Sequence, residues 1–265
     1  MPPDPEPRST TTAPQFTAAL IDVDGTLVDT NYLHLMAWSR ALREGGEWVP
    51  MHVIHRCIGM GADQLLPQLI GREDHAIAEA HDRHFGELFG EAVAFPSAAT
   101  LVRRLVDSGV TVVLATSSSA EQLDAALRLL GLQDLHLPQV TGDDIKRSKP
   151  DPEIVRKALE VAGVDAADAV VIGDSEWDVR AATAAGVASV LVQTSAPWSH
   201  PGATPIAEYD ALEQLLGHLS QHGLGGWPAM RGAGSGIVDD PGADDAYGPV
   251  RGFDPARPEG SQVRA

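Results

Sequence analysis

Two aspartates two positions apart, Asp22 and Asp24, directly follow the apolar run Ala18-Ala19-Leu20-Ile21. If that run is a buried strand surfacing into the turn Val23-Asp24-Gly25-Thr26, both carboxylates stand at the lip of the interior. Burying one carboxylate is costly, and burying two together costs more unless protons or a cation join them. A metal ion is the simplest resolution. Three later stretches add compatible groups. Thr116, Ser117 and Ser118 follow Val112-Val113-Leu114-Ala115; Lys149 sits in Ser148-Lys149-Pro150-Asp151-Pro152; Asp174 follows Val170-Val171-Ile172-Gly173, with Asp178 four positions on. Hydroxyls and an ammonium suit anionic oxygens, and aspartates suit a hard cation.

Residues this far apart in sequence need a scaffold that gathers them. Short apolar runs at 18–22, 110–115, 169–172 and 187–192, with 139–141 a fifth candidate, alternate with helix-like segments. Near-continuous apolar strands separated by helices indicate a parallel sheet covered on both faces. The fold class is therefore α/β, a doubly wound parallel sheet, and parallel strands bring the carboxyl ends of distant segments to one edge. Pro96 opens a helix over 97–107 whose Leu101, Val102 and Leu105 share a face, and Gly109 closes it; Ser119 caps 121–130, with Gly131 after it.

The segment 31–95 breaks the alternation. Leu35, Trp38 and Leu42, then Leu65, Leu66, Leu69 and Ile70, then Ile77, His81, Phe85 and Leu88 have helical spacing, without a convincing strand. A helical insert after the first strand would roof the site, because ligands of open α/β sheets bind beyond the carboxyl ends of the strands. The expected organisation is a disordered start over 1–15, an α/β core over 16–30 and 96–222, a helical cap over 31–95 and a disordered tail over 223–265. About a third of that tail is Gly or Pro, a composition that cannot repay ordering entropy.

Composition narrows the partners. With 265 residues, 43% of them hydrophobic, the chain can bury a real interior. Its formal net charge of −18 disfavours nucleic acid and anionic membranes, so a phosphorylated substrate must meet local positive charge. Cys57 is the single cysteine, which rules out an internal disulfide, suits a reducing compartment and reads as a buried thiol. No stretch approaches the roughly 20 apolar residues that span a bilayer, and a cytoplasmic address is expected. A monomer or homodimer is expected.

In their order along residues 18–192, Asp22 to Thr26, Thr116 with its serines, Lys149, and Asp174 with Asp178 resemble the four motifs of the haloacid dehalogenase-like superfamily, in its phosphatase branch with a helical cap. The resemblance implies Asp22 as the nucleophile on phosphorus and Asp24 as general acid, then base. It implies Thr116 and Lys149 as holders of the phosphate and Mg²⁺ as the cofactor. The metal positions it implies are Asp22, Asp24 through its carbonyl, Asp174 and Asp178, the last as ligand or partner of a ligand. These roles are physically sensible. A carboxylate attacking a phosphate dianion meets a repulsion of about 4 kcal/mol at roughly 4 Å and an effective dielectric near 20, which Mg²⁺ and Lys149 would offset. The serine run leads into a helix N-terminus, where Ser117 and backbone N–H groups can meet phosphate oxygens.

Further residues carry two readings each. His34 could orient the acid or contact substrate, or be a satisfied helix residue. Arg56 is the preferred contact from the insert to substrate. The histidines His52, His55, His75, His81 and His84 read as a polar face, with zinc as the alternative. Gly59-Met60-Gly61 follows a helical pattern and no strand, so it reads as a flexible loop of the insert rather than a nucleotide-binding loop. Three functions compete. Hydrolysis of a small phosphate monoester is favoured, its substrate left open among phosphoglycolate, sugar phosphates and nucleoside monophosphates. Sugar-phosphate mutases are similar at Thr30, His34 and Trp38, but Ala62 and Ile58 stand where they have arginine and lysine. A catalytically silent binding module is the third.

Overall fold

The computed structural model describes residues 16–194 and 203–227. The expected disordered start, 1–15, and the part of the expected tail beyond Trp227 lie outside the described residues.

The core is one parallel sheet in the order β5-β4-β1-β6-β7-β8, where β1 is Ala18–Ile21, β4 Thr111–Ala115, β5 Gln139–Val140, β6 Ala169–Gly173, β7 Ala188–Val192 and β8 Ala207–Tyr209. Strand β1 pairs with β4 on one side and β6 on the other, with Ile21 level with Leu114 and Ile172. Asp22, Thr116 and Asp174 therefore emerge at one edge within about a residue of one another.

Alternation along each strand builds two cores from one sheet. Ala19, Ile21, Val112, Leu114, Val170 and Ile172 face Leu101 and Leu105 of α5 (Ala98–Asp107), Leu123 of α6 (Ala120–Leu130) and Leu215 of α9 (Leu212–His222). Their neighbours Ala18, Leu20, Val113 and Val171 face Ile154, Val155 and Ala158 of α7 (Glu153–Ala162) and Ala181 and Ala182 of α8 (Glu176–Ala185). Each fully buried Leu or Ile contributes roughly 1.5–3 kcal/mol. The alanine face of α8 admits close approach to the sheet. Capping boxes set the starts of two helices: Ser119 with Gln122 for α6 and Ser175 with Asp178 for α8.

Between β1 and β4 the chain forms α1 (Asn31–Glu44), α2 (Met51–Arg56), α3 (Ala62–Ile70) and α4 (His75–Leu88). These helices share a separate core of Leu35, Trp38, Leu42, Ile54, Leu65, Leu66 and Ile77, and Cys57 is buried in it. A two-stranded antiparallel ribbon, β2 (Val28–Asp29) with β3 (Val93–Ala94), joins the strands of chain entering and leaving the insert. The sequence gives no strand signal over 31–95, because a two-residue strand has no periodicity to read; its pairing comes from residues 64 and 66 positions away.

The expected start of the disordered tail is corrected at its first residues. Leu224 and Trp227 are buried, and the Trp227 ring stacks on His218 at 4.7 Å and lies 6.1 Å from Phe16. A glycine-rich stretch is held here by one large aromatic side chain, which a composition average hides. No helix among the described residues is long and apolar enough to cross a membrane.

Candidate active site

Asp22 directly follows β1 and is buried. One of its oxygens pairs with the ammonium of Lys149, and the other accepts from the Thr26 hydroxyl at 3.1 Å. Thr26 also donates to Asp174 at 3.0 Å, and Asn31 Nδ2 donates to the second Asp174 oxygen at 2.8 Å. Lys149 makes a further ion pair with Asp178 at 2.6 Å, while the other Asp178 oxygen accepts from the Ser175 hydroxyl at 2.6 Å. Asp178 thus caps α8 and anchors the lysine at once.

Gly25 makes the turn directly after Asp24. Its φ is +77°, and a Cβ there would lie 2.2 Å from Asn31 Nδ2 and 2.4 Å from Asp174 Oδ2. The position needs glycine for both backbone and space.

Charge in this cluster does not balance. Burial raises the Asp22 carboxyl well above its ordinary value, with the neighbouring Asp178 and Asp174 adding to the effect and Lys149 opposing it. Burial also opposes the charge on Lys149, yet Asp178 and Asp22 hold the ammonium above its usual value, so it is a cation. Oxygens of Asp22, Asp174 and Asp178 lie within 4.8 Å of one another. Three buried carboxylates against one ammonium leave a deficit of positive charge that a hard, oxygen-liganded divalent cation fits.

Asp24 belongs to a different network. One oxygen accepts from Thr30 at 2.8 Å and lies 3.3 Å from His34 Nε2; the other accepts from Ser118 at 2.7 Å and Thr116 at 3.2 Å. Burial would raise this carboxyl, but hydrogen bonding and charge from His34, with Ser118 and Thr30, outweigh it and hold Asp24 below the usual carboxylate range. Both aspartates open onto a cavity of about 570 Å³ between the sheet edge and the insert, lined also by His34, Trp38, Ala62, Asp63, His81, Asp82 and Lys146.

The structure brings Asp22, Asp24, Thr116, Ser117, Lys149, Asp174 and Asp178 to one edge. The Ser117 hydroxyl is buried and has no hydrogen-bond partner among the described residues, as expected of a group that meets a ligand. Thr116 turns its hydroxyl to Asp24. The Asp24 carboxylate lies outside the acidic cluster, leaving its carbonyl as the only group it could give a cation. Arg56 is corrected: it is exposed at the end of α2 and does not line the cavity, because the buried face of that short helix is set by Ile54. The insert instead reaches the core through Asp63, which accepts from the Ser148 N–H at 2.9 Å, and through Gly61, where a Cβ would lie 2.1 Å from Ser148 Oγ. The histidines of the insert form no metal cluster among the described residues. Sequence reasoning missed Thr26, Asn31, Ser118 and Asp63 as site residues. Thr26 and Ser118 lay inside motifs already marked, whereas nothing in the local sequence marks Asn31 or Asp63.

Comparison with known proteins agrees with this geometry. Residues 19–192 match the family model described as haloacid dehalogenase-like hydrolase. The chain is 35% identical over 210 residues to a plasmid-borne phosphoglycolate phosphatase of Cupriavidus necator, covering 76% of this chain and 90% of that protein. It is 29% identical over 209 residues to a validoxylamine A 7'-phosphate phosphatase of Streptomyces hygroscopicus subsp. limoneus, covering 74% of this chain and 92% of that protein. Among solved structures, a hydrolase from Pseudomonas syringae superposes with a TM-score of 0.72 at 28% identity, over 78% of this chain and 98% of that one.

Proposed function

The chain belongs to the haloacid dehalogenase-like hydrolases, and from that premise we propose that it hydrolyses a small phosphate monoester through an aspartyl-phosphate on Asp22. One observation carries this reading: two carboxylates open onto the same cavity, one paired with a buried lysine and the other held by a separate set of hydroxyl and imidazole partners. That separation gives a nucleophile and a proton carrier different environments on one turn.

In the first step an Asp22 oxygen forms a bond to phosphorus as the bond to the leaving oxygen breaks, and Asp24 protonates that oxygen. In the second step Asp24 takes a proton from water, whose oxygen attacks phosphorus and frees Asp22. Because its neighbours hold Asp24 ionised, the proton it gives in the first step must reach it from a nearby donor, and His34 Nε2 stands 3.3 Å away. Lys149, Ser117 and the N-terminal N–H groups of α6 hold the phosphoryl oxygens. Asp22, Asp174 and Asp178, with the Asp24 carbonyl, would hold Mg²⁺, which when bound neutralises charge between the phosphate and the attacking carboxylate.

The cavity wall favours hydrolysis over mutase transfer. Ala62 and Ile58 both line it, and among the described residues Lys146 is the single Lys or Arg in the lining, so a second phosphate finds few partners. The names of the two relatives point to different substrates, and the reading here commits to the shared class, a phosphate monoester. The test is phosphate release from p-nitrophenyl phosphate and a panel of small phosphate monoesters, with and without Mg²⁺. Release that depends on Mg²⁺ and vanishes in Asp22→Asn is expected. Turnover only with a sugar bisphosphate primer would make the protein a mutase, and inertness of wild type and variant alike would make it a binding module.

A further inference from the structure

Behind Asp24 the insert contains a row of hydrogen-bonding groups of which the mechanism above uses only His34. His34 Nδ1 lies 3.1 Å from His81 Nε2, and His81 Nδ1 lies 3.1 Å from Asp82 Oδ1. With the 3.3 Å contact of His34 Nε2 to Asp24, the row runs Asp24, His34, His81, Asp82 without a gap. Both rings are clamped. His34 stacks on Phe85 at 3.9 Å and 7°, and His81 stacks on Trp38 at 4.0 Å and 17°. Imidazole nitrogens bond in the ring plane, and each nitrogen of the two rings has one partner.

The direction of every bond in the row follows from donor and acceptor counting. The Asp82 side chain is 63% exposed and accepts from Gln122 Nε2 at 3.3 Å, so it is a carboxylate that receives the His81 Nδ1–H. A neutral His81 then has no proton on Nε2 and can only accept. His34 Nδ1 must therefore carry the proton between the two rings, so the contact of His34 Nε2 with Asp24 needs a second proton, carried by Nε2 or by the Asp24 carboxyl, and this is the proton the two groups can exchange. Burial supports the neutral form by pushing His81 down to about 4.

We propose that His81, held by Asp82, is a positioning residue for the leaving-group acid, because it accepts from His34 Nδ1 and so fixes the His34 edge that orients Asp24. This inference rests on the reading of Asp24 as the acid. Its consequence is specific. In the first step Asp24 is needed when the leaving oxygen is a poor leaving group and hardly at all when it departs as a stable anion, so a fault in orienting Asp24 as acid falls selectively on that step with alkyl phosphates, whereas its work as base in the second step is common to all substrates.

The test compares kcat/KM, which reads the reaction only through departure of the leaving group, on an alkyl phosphate, glycerol 3-phosphate or the best alkyl substrate from the panel, with kcat/KM on p-nitrophenyl phosphate. His81→Phe keeps an aromatic ring against Trp38 and removes the acceptor. It is expected to lower kcat/KM on the alkyl substrate about tenfold to a hundredfold, the order of loss from a small misplacement near the chemistry, and to change kcat/KM on the aryl substrate less than about threefold. His81→Gln restores an acceptor and should recover part of the alkyl rate. Should His81→Phe fail to fold, Asp82→Ala on the exposed end of the row should show the same selectivity more weakly. Equal losses of kcat/KM on both substrates overturn the positioning role. Asp24→Ala run in parallel separates the two readings: if it is selective and the His81 and Asp82 variants are not, only this inference fails; if it lowers both substrates equally, the acid assignment fails with it.

Discussion

Asp22 and Asp63 are both carboxylates at the wall of one cavity, yet they belong to regions built on different rules. At the sheet edge, Asp22, Asp174, Asp178 and Lys149 are buried, and each is bonded to a group from another segment of the core. Across the cavity the insert shows Asp63 and Asp74 half-buried and Glu73 and Asp82 exposed, and it meets the core through few contacts, such as Asp63 to Ser148 and Gln122 to Asp82. Charges at the edge interact through a medium of low effective dielectric, whereas those on the insert are screened by water. The comparison teaches that the acidic cluster is placed where partners from several core segments fix each carboxylate, whereas the insert offers the cavity carboxylates that solvent reaches.

Four experiments sharpen or break this contrast. The largest effect is expected at the edge: Asp24→Ala should reduce turnover of an alkyl phosphate about a hundred- to ten-thousand-fold, and a loss under tenfold would move the acid to another residue. Gly25→Ala should come next. A methyl group at φ +77° against Asn31 and Asp174 must displace the acidic cluster, so both Tm and kcat should fall; an unchanged Tm with full activity would show that the edge is softer than its packing implies.

His81 tests the insert through pH. Folded, it binds its proton more weakly, at about 4, than the ordinary value of 6.5 expected when unfolded. As pH falls from 6.5 towards 4 the unfolded chain takes up a proton that the folded one refuses, so stability is lost over that window, by up to about 3 kcal/mol. Denaturation curves across these pH values should show the slope, and His81→Phe should flatten it. The smallest effect belongs to the contact between the regions: Asp63→Ala removes the acceptor of the Ser148 N–H, worth about 1 kcal/mol, and should raise KM several-fold with kcat nearly unchanged. A large drop in kcat instead would make the insert part of the reaction machinery.

Much of the edge was legible because it is made of local signals. The runs before Asp22, Thr116 and Asp174 are apolar on both strand faces, which only a sheet covered on two sides explains, and Ser119 announced α6 by its capping chemistry. What escaped lacks local pattern. Strand β8 is three residues long, and β2 and β3 are two each. Trp227 is a single anchor in a glycine-rich stretch. Arg56 looked suited to bind substrate, but a six-residue helix has too little periodicity to show which side faces the cavity.

The sequence by itself determined the chemical inventory and its address: two aspartates after the first strand, hydroxyls after a second, a lysine before a helix, and two more aspartates at a third. Strand periodicity is a local property, so the edge to which those groups go was implied as soon as the strands were. Only the tertiary structure decided who holds whom. That Thr26 bridges Asp22 and Asp174, that Asp178 rather than solvent holds Lys149, and that His81 lies behind His34 depend on contacts between segments up to 148 positions apart. Side-chain pairing at such separations is set by packing geometry, and packing leaves no trace in the spacing of residues along the chain.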